Sequence, residues 1–248
     1  MLKDPSTRFS DFSPSFYKTI SKGCCRTNSL TDDLDARQLL QLERRIRRRL
    51  FHKGDRVITA GKPFRGLHIV KSGFFKSYSV TQGGQLRVSG FPIAGELFGI
   101  EGLESGFHTS NTEAIDTGMV CLIPLSVLQE NSPTGNSMSR RLLNIMSRLM
   151  LRDKEMIFSL TQMNASQRVA AFLIDLSSRM AGAGFRSDEL RLPMQRTDIA
   201  SYLGMAEETV CRVLSRFQNQ GLVRVNRKYI RNYDPERLRT ILEDGQGP

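Results

Sequence analysis

The most constraining stretch of the 248-residue chain is MQRTDIASYLGMAEETVCRVLSRFQNQGLVRVNRKYIRNY, residues 194–233. Thr197 or Asp198 suits a helix N-cap, and Ile199, Ala200 and Leu203 share one face of a short helix that Gly204 ends. A tight turn follows, and a second helix is expected from Glu207 to about Asn219, closed by Gly221. Small Ala200 sits where the two helices would cross. Val210, Val213, Leu214 and Phe217 give the second helix an apolar inner face, which completes the spacing of a helix-turn-helix. The segment VRVNRKYIR then offers two short strands around Asn226 and Arg227, the wing of a winged helix.

The outer face of the second helix carries Glu207, Glu208, Cys211, Arg212 and Arg216, and Thr197 opens the first helix. In a helix-turn-helix the N-terminal residues of the second helix meet base edges in the major groove. There an Arg makes a bidentate bond to guanine and a Glu accepts from cytosine N4. Glu208 and Arg212 stand at i, i+4, so the acid can also hold the guanidinium. A plain helical bundle could carry the same pair as a surface salt bridge, but the whole pattern predicts a reader of double-stranded DNA.

Charge agrees in sign but not in place. The chain has 36 Lys and Arg against 25 Asp and Glu, a net charge of +11, which favours polyanionic partners. Residues 165–248 hold 13 of those cations and 10 of the acids, so +8 of the excess lies upstream of the motif. No apolar run approaches the ~18–20 residues of a membrane span, and the first thirty residues lack a secretory signal pattern. Four cysteines (Cys24, Cys25, Cys121, Cys211) are too few for a disulfide scaffold. A cytoplasmic protein of two compact domains, with no membrane association, is expected.

Upstream, residues 1–30 are polar and weakly periodic and read as a flexible N-terminal arm. Leu34, Leu39, Leu42 and Ile46 suggest an amphipathic helix over residues 32–49, ending in the basic run ERRIRRRLFHKG, which reads as a solvated face or a contact to DNA or a partner. Between residues 54 and 106 lie 11 of the 20 glycines, interleaved with alternating stretches such as LHIVKSG, FFKSYSV and LRVSGF. Alternation bounded by glycine turns signals an antiparallel sheet, with residues 81–84, TQGG, as a hairpin loop and GMVCLIP as a further strand. Beyond Pro133, Leu142, Met146, Leu149, Asp153, Met156, Leu160 and Met163 follow a 4-3 spacing on one long helix, flanked by Leu143, Met150 and Ile157. The seam can pack on its own β domain or pair with a second copy. In a homodimer Leu142, Met146, Leu149, Met150, Met156, Ile157 and Leu160 would line the interface. Asp153 would then face its own copy and weaken the pairing, unless it turns outward to Arg148 or Arg152. The expected fold is α+β: an arm over 1–30, an antiparallel β-roll sensor domain over 31–134, a dimerisation helix over 135–163 and a winged helix-turn-helix DNA-binding domain over 164–248.

The segments SGFFKSYSVT, VSGFPIAGELFG, GMVCLIP, NASQRVAAFLIDLSSR and RTDIASYLGMAEETVCRVLSRFQ resemble the cyclic-AMP receptor / fumarate–nitrate reduction regulator (CRP/FNR) family of bacterial transcription factors, closest to its oxygen-sensing branch. The resemblance covers nearly everything after residue 30. It implies a homodimer on a palindromic operator, contact with RNA polymerase through residues 81–84, an activator, and a signal of oxygen or redox state. It also implies that the acid at Asp153 opposes dimerisation.

Three departures stand out. The cyclic-nucleotide branch holds phosphate with an Arg-Ser pair after its GEL segment, yet GELFGIEGLESGFHTSNTEA contains no Arg, so cyclic AMP is not an expected ligand. The oxygen-sensing branch binds a [4Fe–4S] cluster with a Cys-x2-Cys-x5-Cys group and one distant Cys. Here Cys25 and Cys121 fit, but two positions fall on Phe16 and Thr19, and Cys24 offers a third thiolate at best. Cys24, Cys25 and Cys121 are thus candidate cofactor residues, with an iron–sulfur cluster, another ligand type, thiol redox chemistry or no cofactor all open; Cys121 can equally be a buried strand cysteine. At the DNA, the branch's Glu-x-x-Ser-Arg becomes Glu208, Cys211 and Arg212, which keeps the Glu and Arg and relaxes the neighbouring base preference. Competing readings are the same regulator without a sensory cofactor, controlled by thiol redox or expression level, and a cupin-type β-roll enzyme. His52, His68 and His108 form no His-x-His pair, which counts against the enzyme.

Overall fold

The computed structural model describes residues 30, 34–130, 132–185, 189–231 and 234–244. The arm expected over 1–30, Leu30 apart, lies outside the described residues, as do Cys24 and Cys25.

Helix α1, Ala36–Glu43, begins at a capping box: the Asp35 carboxylate accepts from the Gln38 N–H at 2.8 Å and the Gln38 amide oxygen accepts from the Asp35 N–H at 2.9 Å. The helix expected over 32–49 is therefore too long. RRRLF becomes strand β1, Arg47–Phe51, antiparallel to β8, Gly118–Pro124, with Arg47 opposite Leu122 and Phe51 opposite Gly118. An available partner strand overrides the local helical spacing, and only Phe51 turns inward.

The remaining strands are β2 Arg56–Ile58, β3 Gly66–Ser72, β4 Phe75–Val80, β5 Leu86–Gly90, β6 Leu97–Phe98 and β7 Asn111–Ala114, with helix α2 at Gly102–Ser105. They form two four-stranded antiparallel sheets, ordered β1-β8-β3-β6 and β2-β7-β4-β5. Phe51, Ile58, Val70, Phe75, Phe98 and Val120 fill the space between them. The β4–β5 hairpin closes through Thr81 N–H to the Gln85 carbonyl at 2.9 Å, with Gly84 at φ 77°. At Gly66 a Cβ would sit 2.1 Å from the Ile123 carbonyl oxygen, so β3 and β8 approach more closely there than any side chain permits.

Helix α3, Leu125–Gln129, leads to α4, Pro133–Gln162, which Ser132 caps by accepting from the Gly135 N–H at 3.1 Å. Its 30 residues span ~45 Å. Leu142 and Ile145 are buried in a core with Leu42, Leu67, Ile69 and Ile123, and Met146 and Leu149 pack against that core. Met156 packs farther along, on the C-terminal core. Leu143, Met150, Leu151, Ile157, Phe158 and Leu160 remain exposed, and so does Asp153.

Asn164 accepts from the N–H groups of Ser166 and Gln167 at 3.0 and 3.1 Å and starts α5, Ala165–Gly182. Then follow β9 Glu189–Arg191, α6 Arg196–Leu203, α7 Glu207–Asn219, β10 Arg224–Asn226, β11 Tyr229–Arg231 and α8 Pro235–Asp244. One apolar cluster joins Phe74, Val88, Phe91, Ile93 and Ile115 of the roll to Phe172, Leu173, Leu176 and Phe217 of the C-terminal unit, so the two share a core.

Candidate nucleic-acid interface

Helix α6 starts two to three residues earlier than its sequence suggests. Its N-cap is Gln195, not Thr197 or Asp198. Asp198 occupies the third helical position, where its carboxylate accepts from the Gln195 N–H at 3.3 Å and from the Lys76 ammonium at 2.8 Å. That second partner belongs to the roll and is invisible in the local sequence. Gly204 ends α6 at φ 62°, and the Met205 N–H returns to the Ala200 carbonyl at 3.1 Å. Helix α7 begins at Glu207 and runs to Asn219.

Val210, Val213, Leu214 and Phe217 of α7 are buried, while Glu207, Glu208, Cys211, Arg212 and Arg216 are all exposed on its other side. Glu207 and Glu208 lie in the first turn and Arg216 in the last, each favourable to the helix dipole. Thr197 is exposed at the start of α6. Next to it Arg196 is half-buried; burial pulls its guanidinium below the usual range, against the opposing pull of Cys211. The face therefore presents acceptors, two exposed guanidiniums and a thiol within one helix width, the inventory needed to read base edges.

The wing is the hairpin β10–β11, with Val225 opposite Ile230 and β9 as a third strand. Arg227 turns it at φ 51°, an uncommon backbone for a residue with a Cβ. Arg224, Arg227, Lys228 and Arg231 are exposed on this small sheet. Sequence reasoning found the wing but not these cations as site residues; the density of Lys and Arg in RVNRKYIR was the available signal.

Of the candidate cofactor residues, Cys24 and Cys25 lie outside the described residues, and Cys121 is disulfide-bonded. Cys121 is fully buried in β8, opposite Ile69 and Arg48, whereas Cys211 is exposed on α7. A four-thiolate cluster would need all four cysteines of the chain, and Cys211 stands in the other unit on the reading face, leaving at most three. The residues present do not fit a [4Fe–4S] cluster held by cysteines alone. Among the described residues no group of three or more His, Cys, Asp or Glu gathers as a metal site. His68 and His108 do meet inside the roll, their rings 5.7 Å apart, each with a buried Nδ1 that has no hydrogen-bond partner. Burial, with a smaller push from His108, lowers His68 to about 4; burial also lowers His108, opposed by Glu101. Both rings are neutral at pH 7.

An antiparallel roll, a long helix and a winged helix with an exposed recognition face define a DNA-binding transcription regulator, not an enzyme. Residues 48–131 match the cyclic nucleotide-binding domain and residues 167–241 the Crp-like helix-turn-helix domain. The chain is 38% identical over 209 residues to Electron transport regulator A of Shewanella oneidensis, covering 84% of each chain. It is 39% identical over 198 residues to the Fumarate and nitrate reduction regulatory protein of Escherichia coli K12, covering 79% of each. Among solved structures, FixK2 from Bradyrhizobium japonicum matches with a TM-score of 0.70 at 27% identity, over 79% of this chain and 96% of that one. The chain belongs to the CRP/FNR family of transcription regulators, near its FNR branch. Among the described residues no helix is long and apolar enough to cross a membrane.

Proposed function

We propose that the chain acts in the cytoplasm as a homodimer that reads a palindromic operator and activates transcription in response to oxygen or redox state. The observation that carries the dimer is the outer face of α4. Leu143, Met150 and Ile157 recur there every seventh residue and stay exposed after the inner face has packed on the roll. Asp153 lies on that stripe between Met150 and Ile157, where a second copy would set two carboxylates against each other. Thr197, Glu207, Glu208, Cys211, Arg212 and Arg216 are the proposed DNA contacts, with the wing cations on adjacent phosphates. The hairpin tip at 81–84 is the proposed contact with RNA polymerase. Sedimentation of the full chain together with footprinting on duplexes that it selects tests this reading; a two-fold symmetric footprint from a dimer is expected, and single half-site protection by a monomer would overturn it.

A second reading has its own support. Because at most three cysteines can converge in the roll, the same regulator can work with no bound sensory cofactor, under thiol redox or expression control. Iron and acid-labile sulfide measured on protein purified without oxygen separates the two: about four of each per chain supports a cluster completed by other ligands, and none supports the second reading.

A further inference from the structure

The DNA-reading unit does not hang from the end of α4; it is seated on its own roll through a buried ionic joint. Arg179 of α5, 3% exposed, donates from Nε to Glu96 Oε1 at 2.7 Å. Its Nη2 donates to Glu96 Oε2 at 2.6 Å and to the Phe91 carbonyl at 2.5 Å, and its Nη1 to Asp175 at 3.0 Å. Arg152 of α4 reaches the same two carboxylates at 3.5 and 3.4 Å. Glu96 is itself held by the Ile93 N–H at 3.1 Å, in the turn before β6. One carboxylate of the roll thus gathers the long helix and the first helix of the reading unit. Burial alone would raise the Asp175 carboxyl, yet Arg152 and Arg179 hold it below the usual carboxylate range, so it stays ionised in the joint.

Farther along the same contact, Ser201 of α6 accepts from the Val88 N–H at 3.0 Å and donates to the Leu86 carbonyl at 3.2 Å. At the α4–α5 junction, Arg168 donates to the carbonyls of Leu160, Met163 and Leu203 at 2.8, 3.0 and 3.2 Å. Two guanidiniums and two carboxylates balance in charge, and such buried groups contribute little net stability beside an apolar replacement. Their forked, bidentate geometry fixes direction instead.

We propose that Glu96 and Arg179 are positioning residues for DNA reading: they fix the angle at which the recognition helix leaves the roll, and with it the half-site spacing that a dimer accepts. The proposal rests on the palindromic dimer described above. One inserted base pair turns a half-site by about 35° around the DNA axis, which a rigidly seated helix cannot follow and a loosened one can.

The test uses the full chain and duplexes that it selects from a randomised pool, remade with one base pair more or fewer between half-sites. The wild-type chain is expected to lose at least about tenfold in affinity at either altered spacing. The double variant E96Q/R179Q, which leaves neither partner as a lone buried charge, is expected to bind the selected duplex somewhat more weakly but to lose less than about threefold on a spacing change, with half-site affinity unchanged. Ser201→Ala, a milder loosening of the same seat, is expected to fall between them and decides the question if the double variant does not fold. Folded variants that keep the full spacing penalty overturn the proposal. A wild-type chain that selects no two-fold symmetric duplex instead overturns the dimer reading beneath it.

Discussion

The ammonium of Lys76, on strand β4 of the roll, lies 2.8 Å from the carboxylate of Asp198, in the first turn of α6, and 3.0 Å from that of Glu113 on β7. Burial alone would lower the Lys76 ammonium, but hydrogen bonds to Asp198 and Glu113 raise it above the usual lysine range. Lys76→Met would strand two carboxylates beside each other at a domain contact. It should destabilise the chain by about 3 kcal/mol in urea unfolding. A loss under about 0.5 kcal/mol would show that water has replaced the ammonium, as at an exposed pair. The sign of the pH effect follows: this stabilisation is complete below the unfolded lysine value near 10.5 and is lost as pH rises through the higher folded value.

Acid should weaken the roll through His68. Its folded value of about 4 lies below the ordinary 6.5, so the unfolded chain takes up the proton first. The neutral ring's stabilisation is complete above pH 6.5 and declines as pH falls toward 4, by at most about 3 kcal/mol. Melting curves between pH 7 and 4 measure this. His68→Phe, beside Phe98 at a ring distance of 5.4 Å for the native pair, should flatten the decline; an equally steep curve in the variant would move the cause to other groups.

Arg212→Ala should cost about 1–3 kcal/mol of specific DNA affinity at fixed salt while leaving non-specific affinity nearly level. Equal losses on specific and random duplexes would make Arg212 a phosphate contact and move base reading elsewhere on α7.

Asp153→Ala should tighten self-association by about 1 kcal/mol, because it removes a carboxylate that lies between the exposed Met150 and Ile157 on the stripe and would meet its own copy there. Sedimentation equilibrium at several concentrations reads the shift. An unchanged monomer–dimer balance would mean that Asp153 does not face a second copy.

Much of this architecture was legible from residue spacing. Gly204 and Gly221 bracket α7 where backbone with positive φ is needed, and the apolar positions between them repeat at the helical period, so the recognition helix could be placed from sequence alone. Helix α8 carries a signal of its own in the sequence: Asp234 accepts from the Arg237 N–H at 3.1 Å ahead of Leu238 and Ile241, an N-cap followed by an apolar pair. Strand β9 had no local signal, since its three residues become a strand only by pairing with β11. Leu42 and Ile46, four apart, give the basic run at 44–49 a helical spacing, and only the edge of β8 decides otherwise. At the site, the outer face of α7 followed from periodicity, whereas the Glu96–Arg179 joint spans 83 positions and depends on how two separately readable units meet.

The shared apolar cluster bears on how such proteins can be recombined. Phe74, Val88, Phe91, Ile93 and Ile115 of the roll are buried together with α5 and α7 residues, so severing the chain at Asn164 would expose both sides of one core. A reading head grafted from a relative would meet a foreign seat at Val88 and Phe91. Workable chimaeras would have to exchange strands β4 and β5 along with the head, which makes the hairpin part of the transferable unit even though it lies far upstream in the chain.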